Sequence, residues 1–112
     1  MSNTDVVRAM FDNYRAQNRE ATEALLAEDF EFTSPNDDHI DKAAYLEHCF
    51  PTAHRFVTQA LLDVVEASTD GVFARYEYEL TDGERYRNTE HFTVRDGRIR
   101  AVEVYFGGKF PA

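Results

Sequence analysis

The stretch "VFARYEYELTDGERYRNTEHFTVRDGRIRAVEVYFG", Val72 to Gly107, decides the fold. Two turn signals divide it, Thr81-Asp82-Gly83 and Asp96-Gly97, and both are chemistry that reverses a chain between strands. On either side the residues alternate, which is the period of a half-buried strand. Val72, Ala74, Tyr76, Tyr78 and Leu80 share one face, opposite Phe73, Arg75, Glu77 and Glu79. Val102, Val104 and Phe106 share another, opposite Ile99, Ala101, Glu103 and Tyr105. Between them, Arg85–Arg95 sets Arg87, Thr89 and His91 against Asn88, Glu90, Phe92 and Val94. The carboxylate of Glu90 on the apolar side is the anomaly.

Hairpin register decides which way Glu90 faces. A two-residue Asp82-Gly83 turn puts Tyr86, Asn88 and Glu90 on the face of Glu77 and Glu79. A three-residue Thr81-Asp82-Gly83 loop, with Gly83 left-handed, puts them with Tyr76 and Tyr78. The second keeps Phe92 and Val94 in the core and is preferred, although a bulge reverses such an assignment locally.

Upstream, Arg55–Ala67 reads as one more strand, closed by "STDG" at 68–71. The first half reads helical. Val7, Met10, Phe11 and Tyr14 recur at three- and four-residue spacing within Asn3–Asn18, with Asn3 or Thr4 as the cap. A short helix follows from about Arg19 to Ala27, burying Ala21, Leu25 and Leu26. "DFEFTSP" is a short strand ended by Ser34-Pro35. "NDDHID" is a loop whose Asp41 caps a third helix, Lys42 to Phe50, stopped by Pro51. Helices followed by four strands joined by short turns indicate an α+β fold, with helices on one face of a curved sheet.

A chain of 112 residues makes one domain, 1–112. Its nine Phe and six Tyr can fill a core, which argues against disorder. The net charge of −9 repels phosphate backbones, so nucleic acid is not an expected partner. A lone Cys49 forms no internal disulfide and suits a reducing compartment. "MSNTDVVRAM" lacks the pattern of a signal peptide, and no window has the length of a membrane span. The expected setting is the cytoplasm, away from membranes.

Taken together, a Tyr-bearing first helix, a short second helix, "FEFTSP", a third helix and long strands resemble the NTF2-like cone. Within that superfamily, "NTEHFTVRDGRIRAVEVYFG" with its "DGRI" turn and closing "YFG" is similar to SnoaL-like and ketosteroid isomerase-like proteins. The resemblance covers nearly the whole chain. It implies three N-terminal helices packed on a strongly curved, mainly antiparallel sheet. Tyr14 falls where ketosteroid isomerases place the tyrosine of their oxyanion hole. Glu90 falls where they hold a protonated aspartic acid. Their general-base aspartate precedes a proline; here Ser34 stands before Pro35, and serine without a base does not abstract a carbon-bound proton at neutral pH.

These readings give a candidate site. Glu90 on an apolar face is costly when ionised, so burial raises its pKa and makes it a proton or hydrogen-bond donor. The structural alternative is a carboxyl bonded to Tyr14, Tyr76 or Asn88, or paired with Arg100. Tyr14, Glu90 and Asp38 form the candidate catalytic set, with Asp37 or His48 as other bases. Ser34, Tyr45, His48, Tyr76, Tyr78, Asn88, Phe92, Val104 and Phe106 form the candidate ligand lining. Asp37-Asp38-His39 with Asp41 matches no metal motif and reads as a solvated loop, so neither a metal nor a cofactor is expected. Cys49 reads as an inert thiol, and His54 as a surface group near the pocket rim. The functional expectation is an apolar small-molecule pocket in an isomerase, cyclase or dehydratase acting on a hydrophobic carbonyl compound. The other is a non-catalytic ligand-binding or dimerisation module. A homodimer through the outer sheet face, with its Phe73, Glu103 and Tyr105, is expected in either case.

Overall fold

The elements of the computed structural model, which describes residues 1–111, follow from caps, turns and alternation. Helix α1 spans Asn3–Ala16. Its cap is Ser2 rather than Asn3 or Thr4: the Ser2 hydroxyl accepts from the Asp5 N–H, and the Asp5 carboxylate accepts from the Ser2 N–H. This reciprocal box satisfies two donors that a helix start leaves open. Val6, Val7, Met10 and Phe11 are the buried stripe of α1. Helix α2, Arg19–Leu25, is capped by the Asn18 side chain. It stops before Leu26, which already belongs to strand β1, Leu26–Ser34.

The segment expected to be a loop is a strand. Asp37–Asp41 forms β2, an edge strand antiparallel to β1 with Ile40 opposite Phe32. Ile40 is its single apolar residue, so alternation gives no signal there. Its charged, short character suits an exposed edge. Asp41 does cap the third helix, α3 at Lys42–Ala44, by accepting from the Ala44 N–H. The chain then widens into a π-helical turn, Tyr45–Cys49, and tightens into a 3₁₀ turn, Phe50–Arg55. Pro51 kinks this run without ending it.

Four long strands complete the sheet: β3 Phe56–Glu66, β4 Gly71–Leu80, β5 Arg85–Arg95 and β6 Arg98–Lys109. The spatial order is β2-β1-β6-β5-β4-β3, with β1 parallel to β6 and the other pairs antiparallel. The β4–β5 hairpin has the three-residue loop, with Gly83 left-handed at φ 88° and Glu79 opposite Arg85. Tyr76 therefore lies opposite Asn88, and Ala74 opposite Glu90.

One face assignment is reversed. Ala101 pairs with Thr93 but Ile99 pairs with Val94, so Arg100 is an extra residue. This bulge turns Ile99 inward, and Ile99 and Val102 are both fully buried. Further register shifts interrupt β3 near Val57 and Leu62 and β6 near Gly107. They bend the sheet, and its concave side holds Val72, Ala74, Phe92, Val94 and Val102 against α1, Tyr45, Leu46 and Phe50. Among the described residues, no helix is long and apolar enough to cross a membrane.

Candidate functional site

The core does not fill the cone. A cavity of about 330 Å³ opens between the concave sheet and the helices, within the usual size of small-molecule sites. Eleven of the candidate residues line it: Tyr14, Ser34, Tyr45, His48, Tyr76, Tyr78, Asn88, Glu90, Phe92, Val104 and Phe106. The twelfth, Asp38, does not. It lies on the outward side of the β2 edge, highly exposed, with its carboxylate 2.6 Å from Nδ1 of His39. Asp37 lines the cavity in its place. Successive residues of a strand face opposite ways, so only one of the two acids can do so.

Glu90 is 9% exposed. The Tyr76 phenol donates to its Oε2 at 2.5 Å. Among the described residues no group donates to Oε1. Burial pushes the Glu90 carboxyl up to about 7, and the hydrogen bond from Tyr76 opposes that rise only in part. A carboxyl with this value is a mixture of acid and base at neutrality, the condition that proton transfer favours. Arg100 does not neutralise it: Arg100 is drawn to Asp29 at 2.8 Å and Glu31 at 3.8 Å on β1.

Tyr14 is arranged differently from what the resemblance implies. Its hydroxyl lies 2.6 Å from Oγ1 of Thr52, and the Thr52 hydroxyl gives its hydrogen to the Cys49 carbonyl at 2.7 Å. Thr52 has one hydrogen, so Tyr14 donates to Thr52 and keeps lone pairs for the cavity. Burial holds the Tyr14 phenol up at about 12. No sequence period points to Thr52, because the 3₁₀ turn after Pro51 brings it to α1 across a separation of 38 residues.

At the β1–β2 turn, the Ser34 hydroxyl donates to Oδ2 of Asp37 at 3.2 Å and accepts from the Asn36 N–H at 3.1 Å. Ser34 has no carboxylate of its own, yet it holds one in place. His48 sits at the rim, largely exposed. Cys49 also lines the cavity, and burial pushes its thiol up to about 11, so it stays protonated. Arg55, Phe56 and Gln59 line the mouth from the 3₁₀ turn and the start of β3, and no motif or period in the sequence marks them. Oε1 of Gln59 is buried without a partner among the described residues. Phe11, Phe32 and Met10 complete the apolar wall. Among the described residues, no cluster of His, Cys, Asp and Glu could hold a metal ion.

Several solved structures share this fold. An NTF2-like protein of unknown function from Cytophaga hutchinsonii superposes with a TM-score of 0.81 at 19% identity, over 95% of this chain and 90% of that one. A candidate ketosteroid isomerase from Kribbella flavida gives 0.81 at 22% identity, over 98% of this chain and 81% of that one. A candidate polyketide cyclase from Sinorhizobium meliloti gives 0.79 at 21% identity, over 90% and 94%. At such identities the likeness is one of fold. No curated protein sequence matches this chain. The SnoaL-like domain description matches residues 7–102, most of its length. The chain belongs to the family of SnoaL-like domains.

Proposed function

We propose that this domain is an isomerase, cyclase or dehydratase that moves a proton on an apolar carbonyl compound held in the cone. Glu90 carries the proposal: a carboxyl near pKa 7 on the wall of an apolar cavity, with one oxygen held by Tyr76. Asp37 is the base, oriented by the Ser34 hydroxyl. It takes a proton from the carbon beside the carbonyl, and the C–H electron pair becomes the C=C bond of an enol. The C=O π pair moves onto oxygen, which takes the Glu90 proton. Donor and base both line one cavity, and the apolar wall strengthens each charge interaction inside it. The isomerase and cyclase descriptions of two similar structures support this reaction class.

The test is deuterium exchange at the carbon beside the carbonyl of 1-tetralone in D₂O, read by mass spectrometry. The wild-type protein accelerates exchange over buffer, and Glu90→Ala removes most of the effect. Binding of tetralone without accelerated exchange instead supports a non-catalytic ligand pocket. That second reading is favoured by Ser34 in place of a carboxylate and by Tyr14 giving its hydrogen to Thr52. Absence of both binding and exchange removes the carbonyl-ligand reading altogether.

Homodimerisation is proposed through the outer sheet face. Val65, Phe73 and Tyr105 stand there about half exposed, flanked by the Arg75–Asp63 and Arg87–Glu77 pairs. Large apolar side chains within a polar rim are the make-up of an interface.

A further inference from the structure

We propose that Asn88 is a positioning residue that fixes the direction of the hydrogen bond from Tyr76 to Glu90 and leaves the Tyr78 hydrogen for the cavity. The inference rests on the proton-moving role proposed for Glu90. Asn88 is 5% exposed and lies between Tyr76 on β4 and Phe106 on β6. Its Nδ2 stands 3.2 Å from the phenol oxygen of Tyr76 and 3.2 Å from that of Tyr78. Its Oδ1 faces the Gly107 N–H at 3.4 Å.

The amide orientation follows from that last contact. A backbone N–H is a donor only, so the amide atom facing it is the oxygen, and both phenols face the nitrogen. Nitrogen donates, so both phenol oxygens accept. Tyr76 must then send its own hydrogen elsewhere, and Oε2 of Glu90 is the acceptor in reach. Tyr78 also accepts, and among the described residues its hydrogen meets no acceptor, so it is left for a ligand oxygen. Gly107 makes the approach possible: a Cβ there would lie 2.2 Å from the Arg87 carbonyl oxygen.

The consequence lies at Glu90. With Oε2 engaged by a polarised phenol, the proton that Glu90 exchanges with a ligand sits on Oε1. The groups that feel its charge are phenols, Tyr76 and Tyr78 of β4, Tyr14 of α1 and Tyr45 of the π-helical turn. The cavity it faces is also lined by Asp37 of β2, His48 and Cys49 of the π-helical turn and Arg55 of the 3₁₀ turn. A stronger hydrogen bond to the carboxylate lowers its pKa, so weakening the Tyr76 bond raises it.

The experiment is a double-mutant cycle read by carboxyl NMR of Glu90 in the whole chain. Asn88→Leu raises the Glu90 midpoint by about half a pH unit, and Tyr76→Phe raises it by about one. The double variant titrates like Tyr76→Phe alone, because Asn88 acts through Tyr76. An unchanged midpoint in Asn88→Leu overturns the inference. So does an Asn88→Leu shift that persists in the Tyr76→Phe background. If Asn88→Leu does not fold, Asn88→Thr, which suits a strand and cannot reach both phenols, runs the same cycle. A wild-type midpoint in the ordinary carboxylate range, or no exchange of tetralone, defeats the proposed reaction instead. The coupling between Asn88 and Tyr76 is readable in either event.

Discussion

Tyr76 donates its phenol hydrogen to Oε2 of Glu90, two side chains brought together across the β4–β5 ladder by a three-residue turn. This bond partly offsets the burial of the carboxyl, whose pKa rises from the ordinary 4.5 to about 7. Below pH 4.5 the folded and unfolded states are both protonated at this group. As pH rises towards 7, the unfolded chain has released its proton while the folded one holds it. Stability present below 4.5 is thus lost through that window, by about 3 kcal/mol in full. Glu90→Gln removes the titration, so it is more stable than wild type by roughly that amount near pH 8. Near pH 4.5 the two converge. Urea denaturation at several pH values checks this, and a pH-independent difference between the two proteins contradicts it.

Tyr14 is predicted to matter less than the resemblance implies. Its hydrogen is committed to Thr52, which in turn bonds Cys49. Tyr14→Phe costs about 1 kcal/mol of stability through that lost bond. It changes tetralone exchange by less than about threefold, whereas an essential oxyanion donor is worth about a hundredfold. A hundredfold loss in Tyr14→Phe means that the phenol turns from Thr52 to the ligand.

Much of this arrangement was legible because alternation and turn chemistry are local. Phe92 and Val94 could be buried together only if Glu90 was buried with them, and Thr81-Asp82-Gly83 set the register. Ile99 was misplaced because the Arg100 bulge breaks the period of two, and no residue there announces it. The β2 strand was missed because Ile40 alone carries its apolar side. The partner of Tyr14 was out of reach for a different reason. Thr52 is placed by a segment that passes through π and 3₁₀ winding, which a regular helical period does not describe.

Gly107 and Gly108 are predicted to differ although they are adjacent. Alanine at 107 drives its Cβ into the backbone oxygen of Arg87, and a backbone atom cannot swing aside. The cost is about 2–4 kcal/mol. At 108 a Cβ meets open space, and the penalty is the left-handed φ of 91°, about 1 kcal/mol. Urea midpoints of the two variants check the order, and Gly107→Ala as mild as Gly108→Ala refutes it.

On the outer face, Val65, Phe73, His91 and Glu103 form one row across four strands, with the Phe73 and His91 rings 4.8 Å apart. If this face pairs two copies, Phe73→Asp introduces two unpaired carboxylates into the interface, one from each copy. It is expected to sediment as a monomer under conditions where wild type is a dimer, with the same melting cooperativity. A loss of about tenfold or more in association is expected from one such charge. A wild-type protein that stays monomeric at high concentration refutes the pairing.

Asp37 and Asp38 are neighbours with opposite fates, and they make the sharpest test of the proposed base. Asp37 lines the cavity and accepts from the Ser34 hydroxyl, while Asp38 faces solvent beside His39. A base must be within reach of the carbon proton it takes, and in the cavity only the first carboxylate qualifies. Asp37→Asn is expected to lower tetralone exchange by about a hundredfold or more, and Asp38→Asn to leave it unchanged. Ser34→Ala removes the hydroxyl that orients Asp37 but not the base itself, so its loss is smaller, about threefold to tenfold. Combining Ser34→Ala with Asp37→Asn adds nothing further, because the serine acts through the aspartate. If Ser34→Ala alone is as damaging as Asp37→Asn, the serine contacts the ligand directly and the base lies elsewhere.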